Sequence, residues 1–284
     1  MKNLSVKYFL SEIWIYPVKS LSGIRLTEAN AQERGLEFDR RWMIVDGNNH
    51  FLSQRQIPEM VLIQPELGIE NGVLNFIKFF NKLDKTNSFL LKNPATPKVA
   101  QKGFEVTVWD DTIMAFEIND AINNWLSMIL NIRCKLVYMT ESVIRKVDPK
   151  YAQSGNEITS FADGYPYLVA GSSALDLLNS KLIEPIEILR FRPNFVFSGG
   201  DAHDEDNWNR LHIGEASFIG VKNCARCPIP TIDTAIATKS KEPIKTLASY
   251  RTRNNKVYFG QNMLIEKLGK IKVGDVISVI SKIV

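Results

Sequence analysis

Apolar residues in this chain come in short bursts, each broken within a few positions by turn-forming residues. Residues 12–18 (EIWIYPV), 41–46 (RWMIVD) and 51–54 (FLSQ) are β-branched or aromatic segments. Gly47-Asn48-Asn49 separates the last two, and Gly and Asn tolerate the positive φ that a tight hairpin demands. Further strand-like runs stand at 60–63, 73–76 and 104–109, with the Lys/Asn-rich interval 81–99 reading as a loop. From 119 to 130 the period changes: Ala121, Ile122, Trp125, Leu126, Ile129 and Leu130 recur at helical spacing, with Asn119 or Asp120 placed to cap the start. A strand-like CKLVYM (134–139) follows, then a polar loop and a second helix over 172–182. Strands return at 195–197, 211–213, 217–221 and 271–280, the last containing the turn Val273-Gly274-Asp275. So many short strands and so few helices argue against a doubly wound sheet and for curled or closed ones. The expected fold is mostly β with peripheral helices. At 284 residues, two domains are expected. The first is an N-terminal β-barrel-like domain over 1–118, and the second a β-rich barrel domain over 119–284 that includes the connecting helix 119–130.

Composition narrows the function classes. With 45% apolar and 23% charged residues the chain has an ordinary globular balance, so disorder is not expected. A net charge of +4, spread along the chain, suits an anionic small molecule. No zinc-finger spacing, aromatic RNA-binding motif or basic heptad points to stable nucleic-acid binding. No run approaches the ~20 continuous apolar residues that cross a bilayer. The opening MKNLSVKYFLSEIWIYP is interrupted by Ser11 and Glu12 and reads as mature, soluble, cytoplasmic protein without a membrane partner. Three cysteines, Cys134, Cys224 and Cys227, are too few for a disulfide framework and fit a reducing compartment.

Cys224-Ala-Arg-Cys227 carries the most reactive chemistry. A thiolate is both a nucleophile and a soft metal ligand, and Arg226 beside Cys227 favours the ionised form. A zinc site needs four ligands, and His203 and His212 offer an unusual spacing for the other two. A redox dithiol normally opens a helix, which Pro228-Ile229-Pro230 prevents. Buried structural cysteine is the remaining reading, above all for Cys134 and Cys224. In Arg190-Phe191-Arg192-Pro193-Asn194, an extended chain would send both guanidinium groups to one side, suited to a phosphate or to a plain solvated strand face. Lys19-Ser20 at a strand exit, followed by Asp39-Arg40-Arg41, is a weaker phosphate signal without the glycines of a P-loop. Tyr250-Arg251, Gly260-Gln261-Asn262 and Asp233 stay undecided on their own.

In order, the chain reads YPVKS (16–20), FDRRWMIVD (38–46), FADGYPYL (161–168), RFRPNFVFSGGDAHDEDNW (190–208), CARCPIPTID (224–233), TLASYR (246–251), FGQNM (259–263) and GKIKVGD (269–275). These blocks, over nearly the full length, resemble the MOSC family with its N-terminal β-barrel companion. That group includes the mitochondrial amidoxime-reducing component and bacterial hydroxylaminopurine-resistance proteins. The resemblance implies a molybdenum-cofactor protein in which Cys227 ligates the metal and is catalytic, while Cys224 is no ligand. By position, Lys19, Ser20, Arg40, Arg192 and Asn194 match residues that hold the cofactor's phosphate and pterin. Contacts are also implied for Gly164, Tyr165, Pro166, Ala225 and Arg226. A cofactor contact is implied for Asn262 as well, which stands after FGQ where the mitochondrial branch carries Tyr.

The implied activity is reduction of an N-hydroxylated substrate, with Arg226 stabilising negative charge and Asp206 or Asp233 relaying protons. The sequence ends at Val284 and lacks the four-cysteine cluster of a two-iron centre, so electrons are expected from a separate donor protein of flavin or iron–sulfur type. Two other readings stand beside it. One is a cofactor carrier or sulfur-transfer module, since MOSC domains also end molybdenum-cofactor sulfurases. The other is a non-enzymatic β-rich binding protein in which every Arg and Cys is structural.

Overall fold

A computed structural model describes residues 7–95 and 102–283. Its centre is a closed ring of seven strands. They are β1 (Tyr8–Ile15), β2 (Tyr167–Gly171), β3 (Phe195–Ser198), β4 (Trp208–Ile213), β5 (Ala216–Ala225), β6 (Lys256–Lys267) and β7 (Val276–Lys282). The hydrogen-bonded order is β2-β3-β1-β7-β4-β5-β6, and β6 closes on β2 through Leu168 opposite Asn262. Closure removes the exposed edges of an open sheet. Alternation along each strand turns Leu10, Ile13, Ile15, Val169, Phe195, Phe197, Trp208, Leu211, Phe218 and Met263 into one buried core. The chain's first strand is therefore built in among strands from its second half.

A half-barrel lies beside this ring. The other strands include the sheet of Trp42–Val45, Lys135–Tyr138, Asp111–Glu117 and Phe104–Val108, and the separate meander of Ile63–Glu70, Val73–Asn81 and Asp84–Lys92. Helix α1 (Asp120–Leu130) seals the meander. Its start is capped as expected, the Asn119 side chain accepting the Ile122 N–H at 3.0 Å, and Asn131 ends it at φ +50. Ile122, Trp125, Leu126 and Leu130 pack with Trp42, Ile77, Phe79 and Leu136.

The mostly-β reading holds, and several local expectations change. The interval 81–99 contains the strand Asp84–Lys92, which hydrogen-bonds to Val73–Asn81; residues 96–99 lie outside the described part. Pairing, rather than apolar content, makes that strand. Residues 58–62 form a 3₁₀ turn opened by Pro58, and the strand begins at Ile63. The second arm of the expected hairpin is a single bridge, Val45 to Phe51. Helix α2 (Ser172–Asn179) stops before 182, and a third helix, α3 (Ile244–Arg251), was not expected.

One buried acid gives a stability prediction. Glu205, fully buried near the barrel wall, accepts the Gly171 N–H at 3.3 Å, while its second oxygen has no partner among the described residues. Burial pushes its carboxyl up from the ordinary 4.5 to about 7. The folded state thus holds this proton more tightly than the unfolded chain. The associated stability is complete below about 4.5 and is lost as pH rises to about 7. Glu205→Gln should escape a loss on the order of 3 kcal/mol. Its advantage over the wild type in urea unfolding should therefore grow from about pH 5 to about pH 8, and equal stability at both would contradict the account.

Candidate functional site

A cleft opens where the barrel meets the half-barrel, and its walls come from segments far apart in sequence. After β1, Tyr16 and Pro17 lead to Val18, which bridges to Trp42, and the Lys19 N–H donates to the Trp42 carbonyl at 2.8 Å. That register brings Lys19-Ser20 beside the 38–41 turn. The turn is held in place by Asp39, which is 1% exposed. One Asp39 oxygen accepts the Tyr16 N–H at 2.7 Å; the other accepts Arg40 Nη1 at 2.6 Å and Asn194 Nδ2 at 3.1 Å. A single carboxylate so ties together three segments that carry expected site residues.

Three of those residues have left-handed backbones: Ser20 at φ +68, Arg40 at φ +49 and Arg192 at φ +55. None is glycine, and each such position costs about 1 kcal/mol or more. The strain aims their side chains into one space. Arg40 and Arg192 both lie over the Tyr16 ring, at 4.2 and 4.1 Å, and Arg192 also donates to the Leu21 carbonyl at 2.8 Å.

Lys19, Ser20, Arg40, Gly164, Tyr165, Arg192, Asn194, Arg226, Cys227 and Asn262 all line this cleft. It encloses a cavity of about 110 Å³, smaller than the ~300–1,000 Å³ of closed small-ligand pockets, and continues into open solvent. Two expected residues stand apart from the wall. Pro166 is buried beneath it, and Ala225 is paired in β5 opposite Tyr258. Arg190 departs from the expected strand geometry: residues 188–191 form a 3₁₀ turn, so its guanidinium turns away from Arg192 to pair with Asp233 at 2.5 Å. Asp206 is likewise taken up by Arg251 and Arg253, at 2.6 and 3.2 Å. Neither Asp206 nor Asp233 reaches the cleft wall, so the expected proton relays are not placed there.

The cysteine surroundings also differ from expectation. Arg226 donates to Cys224 Sγ at 2.9 Å and to the Phe191 carbonyl at 2.9 Å, so it does not serve its neighbour Cys227. The cation on Cys227 is Arg55, whose Nη2 lies 3.1 Å from Sγ. The same nitrogen lies 3.1 Å from Asp163 Oδ2, and Lys19 Nζ reaches Asp163 Oδ1 at 2.6 Å. Burial works to raise the Asp163 carboxyl, but Lys19 and Arg55 override it and hold it well below the carboxylate range. Burial pushes the Lys19 ammonium down to about 8 against the pull of Asp163, and pushes Arg192 down to about 10, helped by Arg40.

Four cations, Lys19, Arg40, Arg192 and Arg226, thus face one carboxylate, Asp163, in the cleft wall. Among the described residues Arg192 has no ion-pair partner, and Arg226 Nε and the Tyr165 hydroxyl are buried without any hydrogen bond. Buried donors in excess of acceptors mark a place for an anion.

A seven-stranded barrel and a half-barrel define a protein of mostly-β class, with a cationic, thiol-bearing cleft. Residues 8–133 match the MOSC N-terminal beta barrel domain and residues 156–278 match the MOSC domain, so the chain belongs to the MOSC family. It is 31% identical over 284 residues to mitochondrial amidoxime-reducing component 1 of Mus musculus, covering 94% of this chain and 80% of that one. The human protein of that name gives 31% over 284 residues, with 94% and 81% covered. Molybdenum cofactor sulfurase of Oryza sativa subsp. japonica is 32% identical over 268 residues, 88% of this chain but 32% of that protein. The chain spans about a third of the sulfurase and about four-fifths of the reducing components. A molybdenum-cofactor-related function follows.

Arg55, Asp163 and Trp109 are site residues that the sequence does not single out. Asp163 sat inside the recognised block FADGYPYL, but Arg55 and Trp109 carry no local signal of their place beside Cys227.

Proposed function

We propose that this chain binds the molybdenum cofactor in the cleft and reduces N-hydroxylated compounds, taking electrons from a separate flavin or iron–sulfur donor protein. The observation that carries the reading is the Cys227 thiol, which Arg55 contacts, set in a wall whose four cations outnumber its one carboxylate. The donor set fits the group. Lys19, Ser20, Arg40, Arg192 and Asn194 would hold the phosphate and pterin, and Cys227 would supply a soft sulfur ligand. Gly164, Tyr165, Arg226 and Asn262 would complete the wall, next in sequence to Pro166 and Ala225, which do not line it. When bound, the cofactor supplies a two-electron redox couple.

The chain's own residues would bind, orient and balance charge. Asp163 stays ionised beside Lys19 and Arg55, so it anchors cations and donates no proton. Lys19, pushed down to about 8, is a cleft group able to exchange a proton not far above neutral pH. Three free thiols suit the reducing cytoplasm. Among the described residues no helix is long and apolar enough to cross a membrane.

Metal analysis of chain made in a molybdenum-replete host tests the reading. About one molybdenum per chain, with reduction of benzamidoxime or hydroxylamine by an artificial donor, is expected. Protein free of molybdenum despite cofactor supply would overturn it. The sulfurase likeness over 88% of the chain supports a second reading, a cofactor carrier or sulfur-transfer module. That reading predicts transfer of cofactor to an apo-enzyme and no turnover.

The anion site has a pH signature. Above about 8 Lys19 loses its charge, so pyrophosphate affinity of the cofactor-free chain should fall by about tenfold between pH 7 and 9. Lys19→Met should bind weakly throughout with a flat profile in titration calorimetry. An equal slope in both proteins would exclude Lys19 as the responsible group.

A further inference from the structure

We infer that Arg55, held on a platform made by Trp109 and Asp163, positions the Cys227 sulfur and tunes its donor strength toward the metal. The inference rests on the function proposed above. Arg55 belongs to the turn at 53–56, beside the half-barrel, and its backbone carbonyl accepts Lys239 Nζ at 3.0 Å. Its side chain is 21% exposed. Nη2 directs its two hydrogens at two acceptors, Cys227 Sγ and Asp163 Oδ2, both at 3.1 Å. The guanidinium lies over the Trp109 ring at 4.6 Å. Asp163, pinned on its other side by Lys19, and Trp109 thus leave Arg55 little freedom except to face the sulfur.

Trp109 shows that this arrangement is maintained against local preference. It lies at φ +56 in the two-residue turn between Phe104–Val108 and Asp111–Glu117. Asn or Gly normally takes such a position, and a bulky aromatic there is strained. Its indole spends that strained conformation on Arg55, on Asp163 Oδ1 through Nε1 at 3.3 Å, and on Phe51 at 5.0 Å. Arg226 cannot replace Arg55, because its guanidinium is committed to Cys224 and the Phe191 carbonyl.

A cationic N–H donor on a ligating sulfur withdraws electron density and favours the more negative, reduced state of the metal group. Removing the donor makes reduction harder. The test uses full-length chain made in a molybdenum-replete host, as wild type, R55M, R55K and W109A. Read-outs are molybdenum per chain, the Mo(V) electron paramagnetic resonance spectrum, the reduced-to-oxidised ratio at the wild-type midpoint potential, and the thermal midpoint.

For R55M the ratio should fall by about threefold or more, with shifted g-values in molecules that retain metal. R55K, which keeps a cationic donor, should recover most of the ratio, and W109A should fall between. If R55M does not accumulate, W109A with a lowered ratio and R55K near wild type decide the same question. A wild-type spectrum and ratio in R55M, or in W109A where R55M fails, would overturn the inference alone. Equal damage in R55M and R55K tracking the thermal midpoint would reduce Arg55 to a structural role and also overturn it. A wild-type chain that takes up no molybdenum would overturn the proposed function and this inference together.

Discussion

Serine in place of Cys227 is expected to give a folded chain that keeps less than about a tenth of the wild-type molybdenum and shows no measurable reduction of an N-hydroxylated substrate. The side chain is only partly buried, and among the described residues its one side-chain hydrogen bond is from Arg55. A hydroxyl fills nearly the same space and can still accept that hydrogen bond, so the fold should lose little. What serine cannot supply is a soft anionic donor, since its hydroxyl ionises far above neutral pH and its oxygen is a hard ligand. Metal content, pterin fluorescence and thermal midpoint measured on one preparation separate chemistry from folding. The adjacent test is Cys224→Ser, which should keep its molybdenum because that sulfur faces Arg226 instead. Full metal and turnover in Cys227→Ser would remove the ligand assignment.

The parts of this molecule visible in sequence are those fixed by short-range pattern. The amphipathic period from Ala121 to Leu130 and the Asn119 cap gave α1 within a residue of its ends. Barrel strands β1, β3, β4, β5 and β7 are legible at least in part because one face of each meets the core, whereas β2 and the long β6 are not among the expected strands. Asp84–Lys92 is not legible either, because it sits at the edge of a meander, largely exposed, and Asn, Lys and Ser there are compatible with either strand or loop. At the site, Lys19, Ser20, Arg40, Arg192 and Asn194 were legible through recognisable blocks. Their convergence depends on Asp39, which no period announces.

The exchange of arginine roles was hidden for a related reason. Sequence adjacency put Arg226 on Cys227, whereas Arg55 reaches that sulfur across 172 positions. Left-handed backbones at Arg40 and Arg192, in place of the usual Gly or Asn, also defeat a strand-based reading of side-chain direction. Arg190 and Arg192 part company for that reason, one toward Asp233 and the other into the cleft.

Asp39→Ala is expected to be the most destabilising single change in the cleft. The carboxylate is buried and accepts from the Tyr16 amide, Arg40 and Asn194 at once. Alanine leaves the Tyr16 amide without its acceptor and takes the carboxylate from a guanidinium whose side chain is 11% exposed, leaving Arg40 only the Arg192 carbonyl and Asn194 the Trp14 carbonyl. Removing one member of a buried ion pair costs about 3–5 kcal/mol, because the remaining charge stays desolvated. For a chain of this size the thermal midpoint should drop by on the order of 10 °C. Function should suffer beyond stability, since Asp39 fixes the strained 38–41 turn that aims Arg40 beside Arg192. Pyrophosphate binding measured well below the midpoint should weaken by more than about tenfold. Asp39→Asn keeps the shape but sets its amide donors against Arg40 or Asn194, and should fall between wild type and alanine. A loss under about 1 kcal/mol with unchanged anion affinity would mean that the cleft is held by the barrel alone and that the three-way bond is incidental.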